Sequence, residues 1–209
     1  MTGDLHALLK AAQEPGPYVL VSHSMAGLYV RLYAATHPGD VKGLVLVDST
    51  AAEAIDDPTT AAYVVSFTRG SHAAAWAASQ GFLQLLRGSP LGNKIGLTGE
   101  AEAEKRFMFA DGRYNRAAAK EVDQWPVSAR QAIAAGAPAA GLPVAVIIAG
   151  DGHGPMREIQ TPPAEQSYHG YIDIIPDARH DALLGPRFCD GVVNGIKFVM
   201  AAYGTPVDR

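Results

Sequence analysis

Tyr18-Val19-Leu20-Val21 is an unbroken apolar run that passes through Ser22-His23-Ser24-Met25-Ala26-Gly27 into a stretch with helical spacing at Leu28, Leu32 and Ala35. A strand that turns directly into a helix leaves one residue at the apex, in strained backbone geometry and with its side chain lifted clear of the sheet. The residues two before and two after must then be small. Ser24 satisfies this, flanked by Ser22 and Ala26, whereas Ser22 would have Leu20 two positions before it. Ser24 is therefore the candidate nucleophile, and Ser22 fills a small-residue slot.

The same alternation of strand and helix continues. Leu5, Leu8, Leu9 and Ala12 predict an opening helix, stopped by Glu14-Pro15-Gly16-Pro17. The helix after Ser24 ends at His37-Pro38-Gly39-Asp40, and Leu44-Val45-Leu46-Val47 reads as a strand buried on both faces. Two more β-branched runs follow, Pro143–Gly150 and Tyr171–Pro176. A last helix, from near Pro186, places Phe188, Val192, Ile196, Val199 and Tyr203 on one face. The fold class is α/β with a parallel sheet, its core formed by residues 1–50 and 143–209.

Residues 51–142 are alanine-rich, carry Trp76 and Trp125, and show no strand pattern. They predict short helices over about Pro58–Arg69, Ala73–Leu86, Glu100–Asp111 and Asn115–Ala135. That is too long for an ordinary connection. Its aromatics, Phe67, Trp76, Phe82, Phe107, Phe109 and Trp125, either line a pocket or hold the helical layer together.

At 209 residues and 48 % hydrophobic content the chain can build one sizeable core. With 17 basic and 21 acidic residues its formal charge is −4, and no basic cluster suits a nucleic-acid backbone. Cys189 stands alone, so no intrachain disulfide or thiolate metal cluster can form, and a buried helix position suits it better than a reactive thiol. No run reaches the ~20 apolar residues of a membrane span, and the N-terminus lacks a signal-peptide pattern, so a cytoplasmic location is expected.

From Pro17 to Ser49 the sequence resembles the α/β-hydrolase superfamily, most specifically in Val19-Leu20-Val21-Ser22-His23-Ser24-Met25-Ala26-Gly27, His37-Pro38 and Gly43-Leu44-Val45-Leu46-Val47-Asp48. The resemblance implies residues 51–142 as a helical lid and a triad in the order serine, acid, histidine. His180, after the last strand and before the last helix, is then the expected base. His23 lies in the elbow, His37 closes a helix, His72 sits in the lid, and His153 is the rival at a strand end. Asp151, after the Ile147-Ile148-Ala149-Gly150 strand end, is the expected acid, and Asp48 the alternative; Asp181 reads as a loop charge. The backbone N–H of Met25 is the expected oxyanion donor.

The resemblance also implies strands before the elbow strand that this chain lacks, including the one leading to the second oxyanion donor. The expectation is an N-terminally truncated α/β-hydrolase core whose strand Tyr18–Ser22 has a bare hydrophobic edge prone to self-association. The expected partner is a small-molecule acyl substrate, with no nucleic acid, no cofactor and no metal; His153 with Asp151 is too sparse for a metal site. A serine nucleophile disfavours the aspartate-dependent dehalogenases and epoxide hydrolases of the superfamily and leaves esterases, lactonases, carbon–carbon bond hydrolases and cofactor-free haloperoxidases open. The competing expectation is a non-catalytic or partner-completed half of the fold.

Overall fold

The computed structural model describes residues 2–150 and 158–204. A first helix, α1 (Thr2–Ala11), leads to strand β1 (Tyr18–His23), helix α2 (Ala26–Thr36) and strand β2 (Val41–Val47). Five helices follow: α3 (Pro58–Ser79), α4 (Phe82–Leu86), α5 (Gly99–Ala110), α6 (Gly112–Val122) and α7 (Trp125–Ala135). Strand β3 (Val144–Ala149), the short helix α8 (Pro162–Glu165), strand β4 (Gly170–Ile175) and helix α9 (Cys189–Ala202) complete the order.

The four strands form one parallel sheet in the order β1-β2-β3-β4. Register sets His23 beside Val47, Val47 beside Ile147, and Ala149 beside Ile175, so every strand ends on the same side of the sheet. Parallel strands demand helical crossovers and burial on both faces, which explains the uninterrupted apolar runs of β2 and β3. Nearly all of β2 and the whole of β3 are buried. On one face α1, α2 and α8 cover Leu44, Leu46, Val146 and Ile148. On the other, α9 covers Val45, Val47, Ala145 and Ile147. α9 comes close because β2 carries Gly43, where a Cβ would collide with Val199 and the Pro143 carbonyl.

β1 and β4 are the edges. Val21 on β1 is 44 % exposed, and on β4 Ile172 and Ile174 are each 39 % exposed, which gives β4 the alternation of a half-covered edge rather than the burial of β3. β1 contains neither lysine nor proline, the residues that usually blunt such an edge.

Among the described residues, 51–142 hold helices and no strand, but two boundaries differ from the sequence expectation. Pro58–Ser79 is one helix of 22 residues, not two. Gly70 costs helix propensity yet needs no unusual backbone angle there, while the break falls at Gly81, with φ 84°. The helix expected over Asn115–Ala135 is instead two, because Pro126 lacks an N–H and fits the first turn of a new helix rather than an interior. Tyr203 also leaves its expected face: α9 ends at Ala202, and Tyr203 turns into extended backbone, half exposed beside Lys42.

No helix among the described residues is long and apolar enough to cross a membrane.

Candidate active site

The carboxyl ends of parallel strands are where the chain must turn, and their loops gather side chains from distant parts of the sequence. Two non-glycine residues with positive φ sit at adjacent strand ends: Ser24 (φ 57°), directly after β1, and Asp48 (φ 41°), directly after β2. Such conformations cost energy and persist only where surrounding bonds impose them. Those bonds are present. Ser24 N–H donates to the Val47 carbonyl (3.2 Å), and the Ser24 carbonyl accepts from Gly27 N–H (3.1 Å) and Thr50 N–H (3.0 Å). Asp48 N–H donates to the Ile147 carbonyl at 2.6 Å.

The small residues around Ser24 have a visible purpose. Ser22 is buried, with its Oγ 3.4 Å from that of Ser49, which also donates to the Ser22 carbonyl (3.4 Å). A Cβ at Gly27 would lie 2.6 Å from the Cβ of Ser49, so only glycine lets the first turn of α2 descend onto the end of β2. Met25 occupies the N-terminal cap of α2, where backbone N–H groups lack intrahelical partners and the helix dipole favours negative charge.

Across this turn, His180 reaches back from the loop after β4. Its Nδ1–H donates to Oδ2 of Asp48 at 2.6 Å, while the other carboxylate oxygen accepts from the Ala149 N–H at 3.2 Å. Asp48 is 12 % exposed and His180 48 %. Burial alone would raise the Asp48 pKa. Hydrogen bonds from the His180 ring, the Ala149 N–H and the Gln160 side chain outweigh it and hold the carboxyl below its usual range.

His23 forms a second contact with this loop. Its Nε2–H donates to the His180 carbonyl at 2.9 Å, and the two rings stack with centroids 4.4 Å apart. Burial, reinforced by His180, lowers the His23 pKa despite opposing pulls from the His180 carbonyl, Asp48 and Asp181.

Of the residues singled out by sequence, the structure gathers Ser24, Met25, Asp48 and His180 at one end of the sheet. Asp151 and His153 lie outside the described residues. His37 stacks on His6 and Tyr33 (centroids 4.1 and 4.7 Å), and His72 pairs with Asp123 on the helical segment (2.8 Å). Gln160, which feeds Asp48, carried no sequence signal. Cys189, partly exposed, opens α9.

Among the segment's aromatics, Trp125 is 8 % exposed and packs in a third core with Leu28 and Val64, flanked edge-on by Tyr63 and Phe67. Trp76 and Phe82 contact each other and are 62 % and 53 % exposed. None of the six borders either of two cavities. One, of about 20 Å³, lies between Gly27, Arg31, Ser49 and Gln160 and is water-sized; the other, of about 300 Å³, lies between the C-terminal end of α2 and Leu142. Among the described residues no cluster of histidine, cysteine, aspartate or glutamate could hold a metal ion.

The model of the alpha/beta hydrolase family matches residues 2–190 of the chain. The chain belongs to this family. An uncharacterized protein of Schizosaccharomyces pombe is 43 % identical over 49 residues, which are 23 % of this chain and 9 % of that protein. The Cif epoxide hydrolase from Acinetobacter nosocomialis superposes with TM-score 0.64 at 19 % identity, covering 92 % of this chain and 64 % of that one. A carboxylesterase of Nitrososphaera gargenis gives TM-score 0.60 at 15 % identity, covering 96 % and 71 %. At such identities the likeness carries the alpha/beta hydrolase fold and nothing finer, and the chain spans about two thirds of these solved structures.

Proposed function

We propose that this alpha/beta hydrolase family member is a serine hydrolase that cleaves an ester or related acyl compound through an acyl-enzyme. A serine hydroxyl is a weak nucleophile and needs a base held in one tautomer. The observation that carries the reading is the 2.6 Å bond from His180 Nδ1–H to Asp48, beside the strained Ser24. With the Nδ1 proton tied to Asp48, Nε2 is the ring nitrogen that accepts the Ser24 proton during turnover. Ser24 Oγ then attacks the acyl carbonyl, and the oxyanion is met by Met25 N–H at the start of α2. His180 returns the proton to the leaving alkoxide as the tetrahedral intermediate collapses. Water, deprotonated by His180, attacks the acyl-serine, and the second tetrahedral intermediate collapses to the free acid as His180 returns the proton to Ser24 Oγ.

Asp48 is the acid this reading prefers, because the hydrogen bond is on its carboxylate. Asp151, preferred in the sequence for its family-like position after the Ile147-Ile148-Ala149-Gly150 strand end, keeps its place as the competitor in the test. The helical segment 51–142 serves as the lid, packed on α2 through Leu28 and Trp125.

Turnover of a p-nitrophenyl ester together with fluorophosphonate labelling tests the function. Labelling that Ser24→Ala abolishes supports it. Absence of labelling in the wild-type chain refutes it.

A second reading has its own observation: β1 is an open edge with Val21 exposed. Here the chain is a half that acquires activity, or a purely structural role, only when another strand pairs with β1. Sedimentation separates the two readings, since a monodisperse monomer with ordinary turnover excludes the second.

A further inference from the structure

We propose that His23 is a positioning residue that clamps the loop bearing His180, so that the two residues His23-Ser24 supply both the nucleophile and the anchor of its base. The proposal rests on the functional reading above.

Apart from Asp48, what fixes the His180 ring matters because residues 176–188, between β4 and α9, contain neither helix nor strand. The bond at Nδ1 fixes one point of the imidazole. His23 adds two restraints of different kinds. Its Nε2–H donates to the His180 carbonyl at 2.9 Å, which ties down the main chain, and its ring lies against the His180 ring at 4.4 Å between centroids with 30° between planes, which limits rotation of the side chain. His23 is itself fixed, because it is the last residue of β1, in register with Val47.

The chemistry of the contact determines the proton. A carbonyl only accepts, so His23 Nε2 carries the hydrogen, and in the neutral ring Nδ1 is then the bare nitrogen. The groups facing it are His180, Asp48 and Asp181. A neutral ring here is compatible with an imidazolium forming on His180 during turnover, whereas a charged one would oppose it. Burial, followed by His180, keeps His23 on the neutral side.

The test uses the 209-residue chain as wild type, His23→Phe and His23→Gln. Phenylalanine keeps the ring and removes the donor; glutamine keeps a donor at the Nε2 position and removes the ring. In long-range proton–nitrogen spectra the wild type should show His23 as the Nε2–H tautomer and His180 as the Nδ1–H tautomer. His23→Phe should average the two His180 nitrogens and lower kcat on p-nitrophenyl acetate by about 10- to 100-fold at unchanged KM, the size expected of lost alignment. His23→Gln should recover most of the loss. A His23→Phe protein with wild-type kcat and wild-type His180 signals overturns the proposal. So does a wild-type His23 found as the Nδ1–H tautomer, a result that needs no variant to fold. If the wild type turns over no ester and labels with no fluorophosphonate, yet His180 responds to His23→Phe as stated, the clamp stands and the functional reading fails.

Discussion

Nδ1 of His180 lies 2.6 Å from Oδ2 of Asp48, although 132 residues separate them in the chain. The contact exists because β2 and β4 end on the same side of one parallel sheet, with β3 between them. Asp48 answers to β3 as well as to His180, since its second oxygen accepts from Ala149 N–H, which leaves the carboxylate little freedom. The histidine is thus oriented by a group that is itself held on two sides.

Ser24→Ala should abolish ester turnover and fluorophosphonate labelling. Ser22→Ala should leave most of both, because the Ser22 side chain is buried against Ser49. Equal losses in the two variants would remove Ser24 from its assigned role.

Asp48→Asn should lower kcat by up to about 10⁴, the effect of a wrong imidazole tautomer in serine triads. Asp151→Asn, measured in the same assay, should cost far less. The reverse ranking would transfer the acid to Asp151.

The Asp48 carboxyl also links stability to pH. Burial opposes its charge, but His180, Ala149 N–H and Gln160 together hold the folded pKa below that of the unfolded chain, which is about 4. A depressed folded pKa means stabilisation that is fully present above the unfolded value and lost as pH falls through the folded one. The advantage of wild type over Asp48→Asn in urea unfolding should therefore be constant above about pH 5 and shrink in more acidic buffer. A gap that widens on acidification would contradict the assigned direction.

Gly27→Ala should destabilise the fold by about 1–3 kcal/mol, an overpacking cost, because the new methyl group meets Ser49 Cβ at 2.6 Å and Oγ at 2.9 Å. Adding Ser49→Gly should restore much of this, since the remaining neighbour, Ser49 Cα, is 3.6 Å away. Chemical denaturation of the two single variants and the double variant gives the coupling directly.

The sequence by itself determined the parallel sheet, the strand–turn–helix at Ser24 and the helical character of 51–142, because these rest on local periodicity and turn chemistry. Leu44-Val45-Leu46-Val47 has to be buried on both faces wherever it is placed, and Ser24 has to sit at the apex whatever surrounds it. Helix boundaries were less legible. Gly70 and Pro126 act in opposite ways: the first sits at an angle any residue adopts, and the second fits only a helix start. What the tertiary structure alone decided is which groups meet. The family-like position after the Ile147-Ile148-Ala149-Gly150 strand end favoured Asp151 as the partner of His180, with Asp48 as the alternative, whereas among the described residues His180 Nδ1 meets Asp48, and Gln160 and His23 join the same cluster by contacts for which no spacing rule exists. The physical reason is that a side-chain contact between strand ends depends on register and on the path of irregular loops, and neither leaves a period in the sequence.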